Sequence, residues 1–274
     1  MPKTLFISDL DGTLLNPLAK LSDFSLNIIN DIIHAGALFT YATARSFTSA
    51  APITSALKLD LPIAAYNGSF LVSPNSGEIL AGAKFEQEQV AQLLEQIKRT
   101  GIMPIVYSII DGTERVSYIS THMPPSIVDY VKSRKGDKRL RPVSSFAELY
   151  AGDIFYFTLI DTHDVLLPLA QATATNTTIN HNFQIDTYSC DYWLEIFPQN
   201  ASKQRAALWL KQYTGAERIV CFGDNKNDIP MFNVADECYA VENACNELKE
   251  IATGIIPANT ENGVALWLKE NWNK

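Results

Sequence analysis

Two aspartates one residue apart end an apolar run: Leu5-Phe6-Ile7-Ser8 leads into Asp9-Leu10-Asp11-Gly12-Thr13. Like charges at the end of a buried strand are costly unless something compensates them. Two carboxylates there suit a hard divalent cation such as Mg2+, which prefers oxygen ligands. Taken alone, Asp-x-Asp-Gly fits an Asp-Gly turn equally well. A second cluster, Thr43-Ala44-Arg45-Ser46, follows another apolar strand. A hydroxyl and backbone N–H groups ahead of a helix can hold phosphate oxygens, although alone the stretch reads more simply as a helix N-cap. The third is Lys203, just inside a helix whose cap candidate is Ser202. A lysine is a poor partner for the positive end of a helix dipole, and an anion held in front of it removes the conflict. By itself it reads as a solvated surface lysine. The fourth is Gly223-Asp224-Asn225-Lys226-Asn227-Asp228, after the apolar run 219–222. Asp224 repeats the placement of Asp9, and Asn227 and Asp228 stand where the next helix opens; the bland reading is a polar loop with Asp228 as an N-terminal helix charge. For the chain to carry no chemistry, all four bland readings must hold at once.

These clusters need a scaffold that brings strand ends together. The spacing predicts a strand over 4–8, a helix over 22–36 capped by Ser22 and ended by Gly36, and strands over 37–43 and 61–66. A hairpin is expected over 69–82, turning at Pro74-Asn75-Ser76-Gly77. Continuously apolar strands separated by helices imply a parallel sheet covered on both faces. Ligands in such sheets bind outside the carboxyl ends of the strands. From 83 to 187 the pattern changes: a helix over 86–100, a hairpin turning at Asp111-Gly112, and strands over 153–160 and 177–189 that are polar on alternate residues. An antiparallel sheet with one wetter face is expected there. The first pattern then resumes, with a helix over 202–215, a strand over 218–224, a strand and helix over 239–254, and a last helix carrying Trp267. The expected fold is α/β: a Rossmann-like doubly wound parallel-sheet core of residues 1–82 and 188–274, with an α+β domain of residues 83–187 inserted.

Composition narrows the partners. Of 274 residues, 47% are hydrophobic and 19% charged, which excludes a disordered chain. A formal net charge of −8 disfavours attraction to nucleic acid or an anionic membrane. The basic stretch 132–141 has no interleaved aromatic residue and reads as a solvated helix end and loop. Neither the four cysteines nor the four histidines show metal-ligand spacing. The N-terminus has no long apolar stretch, and no run of 18 apolar residues occurs, so no membrane span and a cytoplasmic protein are expected.

In combination and in order, the four clusters resemble the motifs of the haloacid dehalogenase (HAD) superfamily of phosphotransferases: Asp9–Thr13, Thr43, Lys203 and 223–228. The inserted segment resembles the type II (IIB) α/β cap of the Cof-like sugar phosphatases, as do 66–70 and 194–208 in style. Two positions depart from the motifs: Ala44 and Gln204 stand where glycine commonly follows the threonine and the lysine. Both add side chains near the phosphate or the pocket wall.

The resemblance implies a phosphatase acting on small phosphorylated metabolites, sugar (hexose) phosphates above all. Asp9 is then the nucleophile that forms an aspartyl-phosphate, and Asp11 the acid and base for the leaving group and the water. Mg2+ is held by Asp9, Asp11 (through its backbone carbonyl) and Asp224. Thr43 and Lys203 hold the transferring oxygens. Ala44, Asn67 and Asn227 complete the substrate-binding set, and Asp228 orients Lys203 or a metal-bound water. Candidates for leaving-group contacts are Asp186, Tyr188, Asp191, Tyr192 and Trp193. A phosphomutase of the phosphomannomutase type fits the same residues. A non-catalytic phosphometabolite-binding protein predicts damage at Asp9, Asp11, Lys203 or Asp224, and all four are intact.

Overall fold

The computed structural model describes residues 2–186 and 191–274. They form two compact units, Met1–Gly82 with Ala201–Lys274, and Ala83–Asn200.

In the first unit the chain opens with β1 (Thr4–Ser8), α1 (Asp23–His34), β2 (Leu38–Tyr41), α2 (Phe47–Thr54) and β3 (Ile63–Ala65). Each helix starts where a serine can accept an orphan N–H: Ser22 takes that of Ser25, and Ser46 that of Ser49. A short antiparallel sheet follows, β3 pairing with β4 (Phe70–Val72) and β4 with β5 (Ile79–Gly82).

The second unit runs α3 (Gln87–Thr100), β6 (Ile105–Ile110), β7 (Thr113–Ile119), α4 (Pro125–Ser133), β8 (Leu140–Val143), β9 (Asp153–Asp161), α5 (His163–Ala174), β10 (Ile179–Ile185) and β11 (Tyr192–Pro198). Asp111 and Gly112 both have positive φ, 50° and 72°, the conformation a two-residue hairpin between β6 and β7 requires. The six strands lie in the order β10-β11-β9-β6-β7-β8. All pairs are antiparallel except β7 with β8, which α4 separates in sequence.

The chain then returns to the first unit with α6 (Lys203–Thr214), β12 (Arg218–Gly223), the one-turn helix α7 (Ile229–Phe232), β13 (Glu237–Val241), α8 (Asn246–Ile251), β14 (Gly254–Ile256) and α9 (Gly263–Asn271). Ser202 caps α6 and Gly215, at φ 63°, ends it. The parallel sheet has the order β14-β13-β12-β1-β2. Leu5, Phe6 and Ile7 are all buried, because the sheet is covered on both sides. Trp267 of α9 packs edge-on against Phe6 and Phe222, with ring centroids 6.2 and 5.2 Å away.

Two expectations from the sequence are corrected. The inserted unit ends at Asn200, not at 187, because β11 pairs with both β10 and β9. Its sheet is also drier than alternate polar residues suggest: Ile154 through Ile160 of β9 are buried without a break. The strand is central, with β11 on one side and β6 on the other.

The order of the parallel sheet matters for chemistry. From β1 the chain moves outward to β2; from β12, the neighbour on the other side, it moves outward to β13 and β14. The sheet therefore reverses direction between β1 and β12, the place where open α/β sheets leave a crevice at their carboxyl ends. The register pairs Ser8 with Phe222, so Asp9 and Asp224 emerge side by side from that end.

Candidate active site

Asp9 is the first residue past β1, and its N–H still donates to the Phe222 carbonyl at 2.9 Å. Its side chain is buried and accepts a hydrogen bond from the Lys203 ammonium. Lys203, the first residue of α6, is only 1% exposed. Its ammonium also donates to Asp228 Oδ1 at 2.6 Å. The other oxygen of Asp228 accepts from the N–H groups of Asp224 and Asn225, at 3.0 and 3.1 Å. Asp228 is thereby fully engaged, and it fixes both the lysine and the turn that presents Asp224.

Asp224 is held from two directions. Its Oδ1 accepts from the Thr13 hydroxyl at 2.8 Å. Its Oδ2 lies against Gly12, which has φ 80°; a Cβ on that glycine would stand 2.3 Å from Oδ2. The turn bearing Gly12 is anchored in its own right, since Asn243 donates to the Gly12 carbonyl at 2.7 Å.

Carboxylate oxygens of Asp9, Asp224 and Asp228 lie within 4.8 Å of one another. One ammonium meets three carboxylates there, an excess of two negative charges. Burial pushes Asp9 well above the usual carboxylate range, and Lys203 only partly opposes it, with Asp228 and Asp224 adding to the rise. Burial and the charge of Asp228 push Asp224 up to about 7, against the Thr13 hydrogen bond and Lys203. Burial works to lower the Lys203 pKa, but Asp228 and Asp9 outweigh it and the net shift is upward. The lysine stays charged, and burial disfavours the charged forms of Asp9 and Asp224 beside it.

Asp11 points elsewhere. Arg45 grips both its oxygens, Nε to Oδ2 and Nη2 to Oδ1, each at 2.6 Å. Such a two-point clamp fixes orientation as well as charge. Thr43 is buried at the end of β2, where its Oγ1 accepts from the Arg45 N–H at 3.1 Å. The Thr43 carbonyl accepts from the Asn67 N–H at 2.9 Å. Tyr66, Asn67 and Gly68 run through three successive positive φ angles, 52°, 53° and 92°. This strained turn presses onto the start of α6: a Cβ on Gly68 would meet the Ser202 carbonyl oxygen at 2.3 Å. Asn67 Oδ1 in turn accepts from Asn227 Nδ2 at 3.2 Å.

Of the residues singled out from the sequence, Asp9, Lys203, Asp224 and Asp228 form one cluster. Asp11 sits beside it in the Arg45 clamp, and Thr43, Ala44, Asn67 and Asn227 belong to the turns around it. In the second unit, Asp186 donates its N–H to the Asp191 carbonyl at 3.0 Å. Tyr192 packs against His163 and Phe183, and Trp193 against Tyr130. Tyr188 lies outside the described residues. Sequence reasoning gave no role to Arg45, Thr13 or Asn243. Arg45 had one signal: a cation just past a strand end that also carries the hydroxyl candidate.

Residues 6–268 match the profile of a family described as haloacid dehalogenase-like hydrolase. The chain is 27% identical over 287 residues to the 5-amino-6-(5-phospho-D-ribitylamino)uracil phosphatase YwtE of Bacillus subtilis, covering 96% of each. It is 27% identical over 267 residues to the pyridoxal phosphate phosphatase YbhA of Escherichia coli, covering 95% of each. Among solved structures, the subclass IIB sugar phosphatase BT4131 superposes with a TM-score of 0.76 at 19% identity over 98% of both chains, a likeness of fold.

Proposed function

We propose that this chain, which belongs to the haloacid dehalogenase-like hydrolases and is a phosphatase of small phosphorylated metabolites, works with Mg2+ and through a phosphoryl group carried on Asp9. The observation that carries the reading is the buried ammonium of Lys203 between Asp9 and Asp228, with Asp224 within 4.8 Å, at the switch point of a parallel sheet.

The donor set fits the metal. It is all oxygen, it carries two negative charges more than Lys203 neutralises, and Asp224 is cradled against a glycine. Asp9 and Asp224 would hold Mg2+ with the backbone carbonyl of Asp11. Bound there, Mg2+ supplies positive charge that lets a carboxylate approach a phosphate.

The chain's own residues do the rest. Lys203 engages Oδ1 of Asp9, so Oδ2 is the atom that attacks phosphorus in line. The ester oxygen leaves opposite it, and the phosphoryl group is left on Asp9 until water removes it. Lys203, Thr43 and the backbone around Ala44, with Asn67 and Asn227, offer donors to the transferring oxygens. Asp11 is the group placed to give a proton to the leaving oxygen and to take one from the incoming water. To do so it must open one of its two Arg45 hydrogen bonds, so the clamp sets the orientation from which the proton moves. Hexose phosphates are substrates by resemblance, and the two curated relatives act on phosphates with heterocyclic leaving groups.

The test is phosphate release from a panel of such esters, lost with excess chelator and restored by Mg2+. Full turnover in a rigorously metal-free sample would contradict the reading.

Two further outcomes are expected at this cluster. Gly12→Ala weakens Mg2+ binding by about tenfold or more, because the new methyl group displaces the Asp224 carboxylate and strains a positive-φ turn. Calorimetric titration reads this directly, and wild-type affinity in the variant would refute the cradle. Protons compete with the metal, since a coordinating carboxylate must be ionised. With Asp224 pushed up to about 7, Mg2+ affinity falls as pH drops from roughly 8 to 6, and binding releases protons. Affinity that is flat with pH, with no proton release in buffers of different ionisation heat, would count against this.

A further inference from the structure

Three segments of the first unit meet around Asp224 and are joined pairwise. The first is the loop 9–15 after β1. The second is the turn after β12 that presents Asp224. The third is the turn 242–245, between β13 and α8. Thr13 of the first segment donates its hydroxyl to the Asp224 carboxylate at 2.8 Å. The Cys245 N–H of the third donates to the Asp224 carbonyl, also at 2.8 Å. Asn243 of the third donates its side-chain amide to the Gly12 carbonyl of the first at 2.7 Å. The three bonds close a triangle, so a shift of any one segment strains two of them.

A second ring locks the asparagine. Asn243 Oδ1 accepts from the Asn259 N–H at 3.0 Å, and Asn259 Nδ2 donates to the Leu15 carbonyl at 2.8 Å. Both ends of the Asn243 amide are engaged, which fixes its orientation. The loop 9–15 is itself coiled about one acceptor. The N–H groups of Thr13, Leu14 and Leu15 all donate to the Leu10 carbonyl, at 3.3, 3.0 and 2.8 Å. Its carbonyls at Gly12 and Leu15 go instead to two asparagines that are bonded to each other. Those partners lie 231 and 244 residues further along the chain.

The two asparagines differ in setting. Asn259 is buried and Asn243 is exposed. An exposed hydrogen bond adds little to stability, because water can replace it. Asn243 is thus poorly placed to hold the fold and well placed to hold a distance. Of the proposed Mg2+ ligands, Asp9 and the Asp11 carbonyl come from the first segment and Asp224 from the second. Mg2+ demands near-ideal octahedral geometry, so slack between these segments costs affinity even where the fold is intact. Asn243 is also the side of the triangle that can be cut cleanly. The Cys245 side is backbone to backbone, and Thr13 touches the Asp224 carboxylate itself.

We infer that Asn243 is a positioning residue: it sets the loop bearing Asp9 and Asp11 against Asp224, and through that spacing the affinity for Mg2+. It touches neither metal, phosphate nor leaving group, and Asn259 acts behind it by fixing its amide. The inference rests on the metal-dependent phosphatase reading above and adds a residue that reading does not use.

Calorimetric titration of the full chain with Mg2+ tests it. Asn243→Ala should weaken binding by about tenfold or more. Asn243→Asp keeps the acceptor for the Asn259 N–H but sets a carboxylate oxygen against the Gly12 carbonyl. It should weaken binding as well, although an added negative charge by itself would tighten it. Asn30→Ala is the matched control. Asn30, half-buried, also joins two backbone groups, donating to the Ala56 carbonyl at 3.0 Å and accepting from the Lys58 N–H at 2.8 Å. Its loss should lower Tm at least as much as Asn243→Ala and leave Mg2+ affinity unchanged. With p-nitrophenyl phosphate as substrate, both Asn243 variants should show wild-type KM and regain most of kcat once Mg2+ is saturating. Wild-type Mg2+ affinity in either Asn243 variant would overturn the inference. So would a raised KM that excess Mg2+ does not repair, which would mark Asn243 as an ester contact. An equal loss of affinity in Asn30→Ala would overturn it too, by reducing the effect to general loosening. No Mg2+ binding by the wild-type chain would instead strike at the metal reading itself, and the inference would fall with it.

Discussion

Asp9→Asn ends turnover, by about ten-thousand-fold or more, and leaves the fold intact. The amide is nearly the same size as the carboxylate but has no lone pair of comparable strength to attack phosphorus. Nothing else in the cluster can replace it. Asp228 is committed to Lys203 and two backbone N–H groups, and Asp224 to Thr13. Stability should move the other way. Burial and two neighbouring carboxylates raise the Asp9 pKa, so its charge is a burden on the metal-free protein that Asn lightens. For an acid with a raised folded pKa the burden appears as pH climbs above the unfolded value and is largest above the folded one. In chelator, then, Tm of the variant should match or exceed wild type, with the gap widening as pH rises. Undiminished phosphate release by Asp9→Asn would remove the nucleophile from the account.

Lys203→Met should damage both activity and stability. Methionine fills most of the space but leaves Asp9 and Asp228 buried with no counter-charge. Breaking a buried pair by removing one partner costs about 3–5 kcal/mol. The raised pKa of Lys203 gives the sign of its pH dependence. Its stabilisation is present in full below the unfolded lysine value of about 10.4 and is lost only as pH rises through the higher folded value. The penalty in the variant therefore spans the neutral range. Turnover should fall about a hundredfold or more, because the donor beside the transferring oxygens is gone. Adding Asp228→Asn to the variant separates the two effects. It should recover part of the lost stability, since one of the stranded carboxylates is neutralised, and none of the lost turnover. Additive stability losses in the double variant would mean that Lys203 and Asp228 are not a working pair.

How much of this was legible depends on how local each signal is. β1 was readable because three apolar residues in a row at a strand's length have few other uses, and Asp9 and Asp224 because each ends such a run. Lys203 was readable as a position but not as a buried one. A lysine opening a helix is usually solvated, and its burial depends on Asp9 and Asp228, which lie 194 and 25 residues away. The Arg45–Asp11 clamp spans 34 residues, and local composition does not say which carboxylate an arginine will find. The end of the inserted unit was misplaced because Tyr-Trp-Leu-Glu-Ile-Phe reads as a strand whichever sheet it joins. Only its pairing with β9 and β10 assigns it.

The claim on which the rest depends is that phosphorus passes through Asp9. Rapid acid quench of the enzyme during turnover, followed by peptide mass mapping, tests it most directly. A phosphoryl group is expected on the peptide containing Asp9, formed before free phosphate appears and absent from Asp9→Asn. Free phosphate released in the first turnover, with no phosphoryl group on that peptide at any quench time, would contradict it.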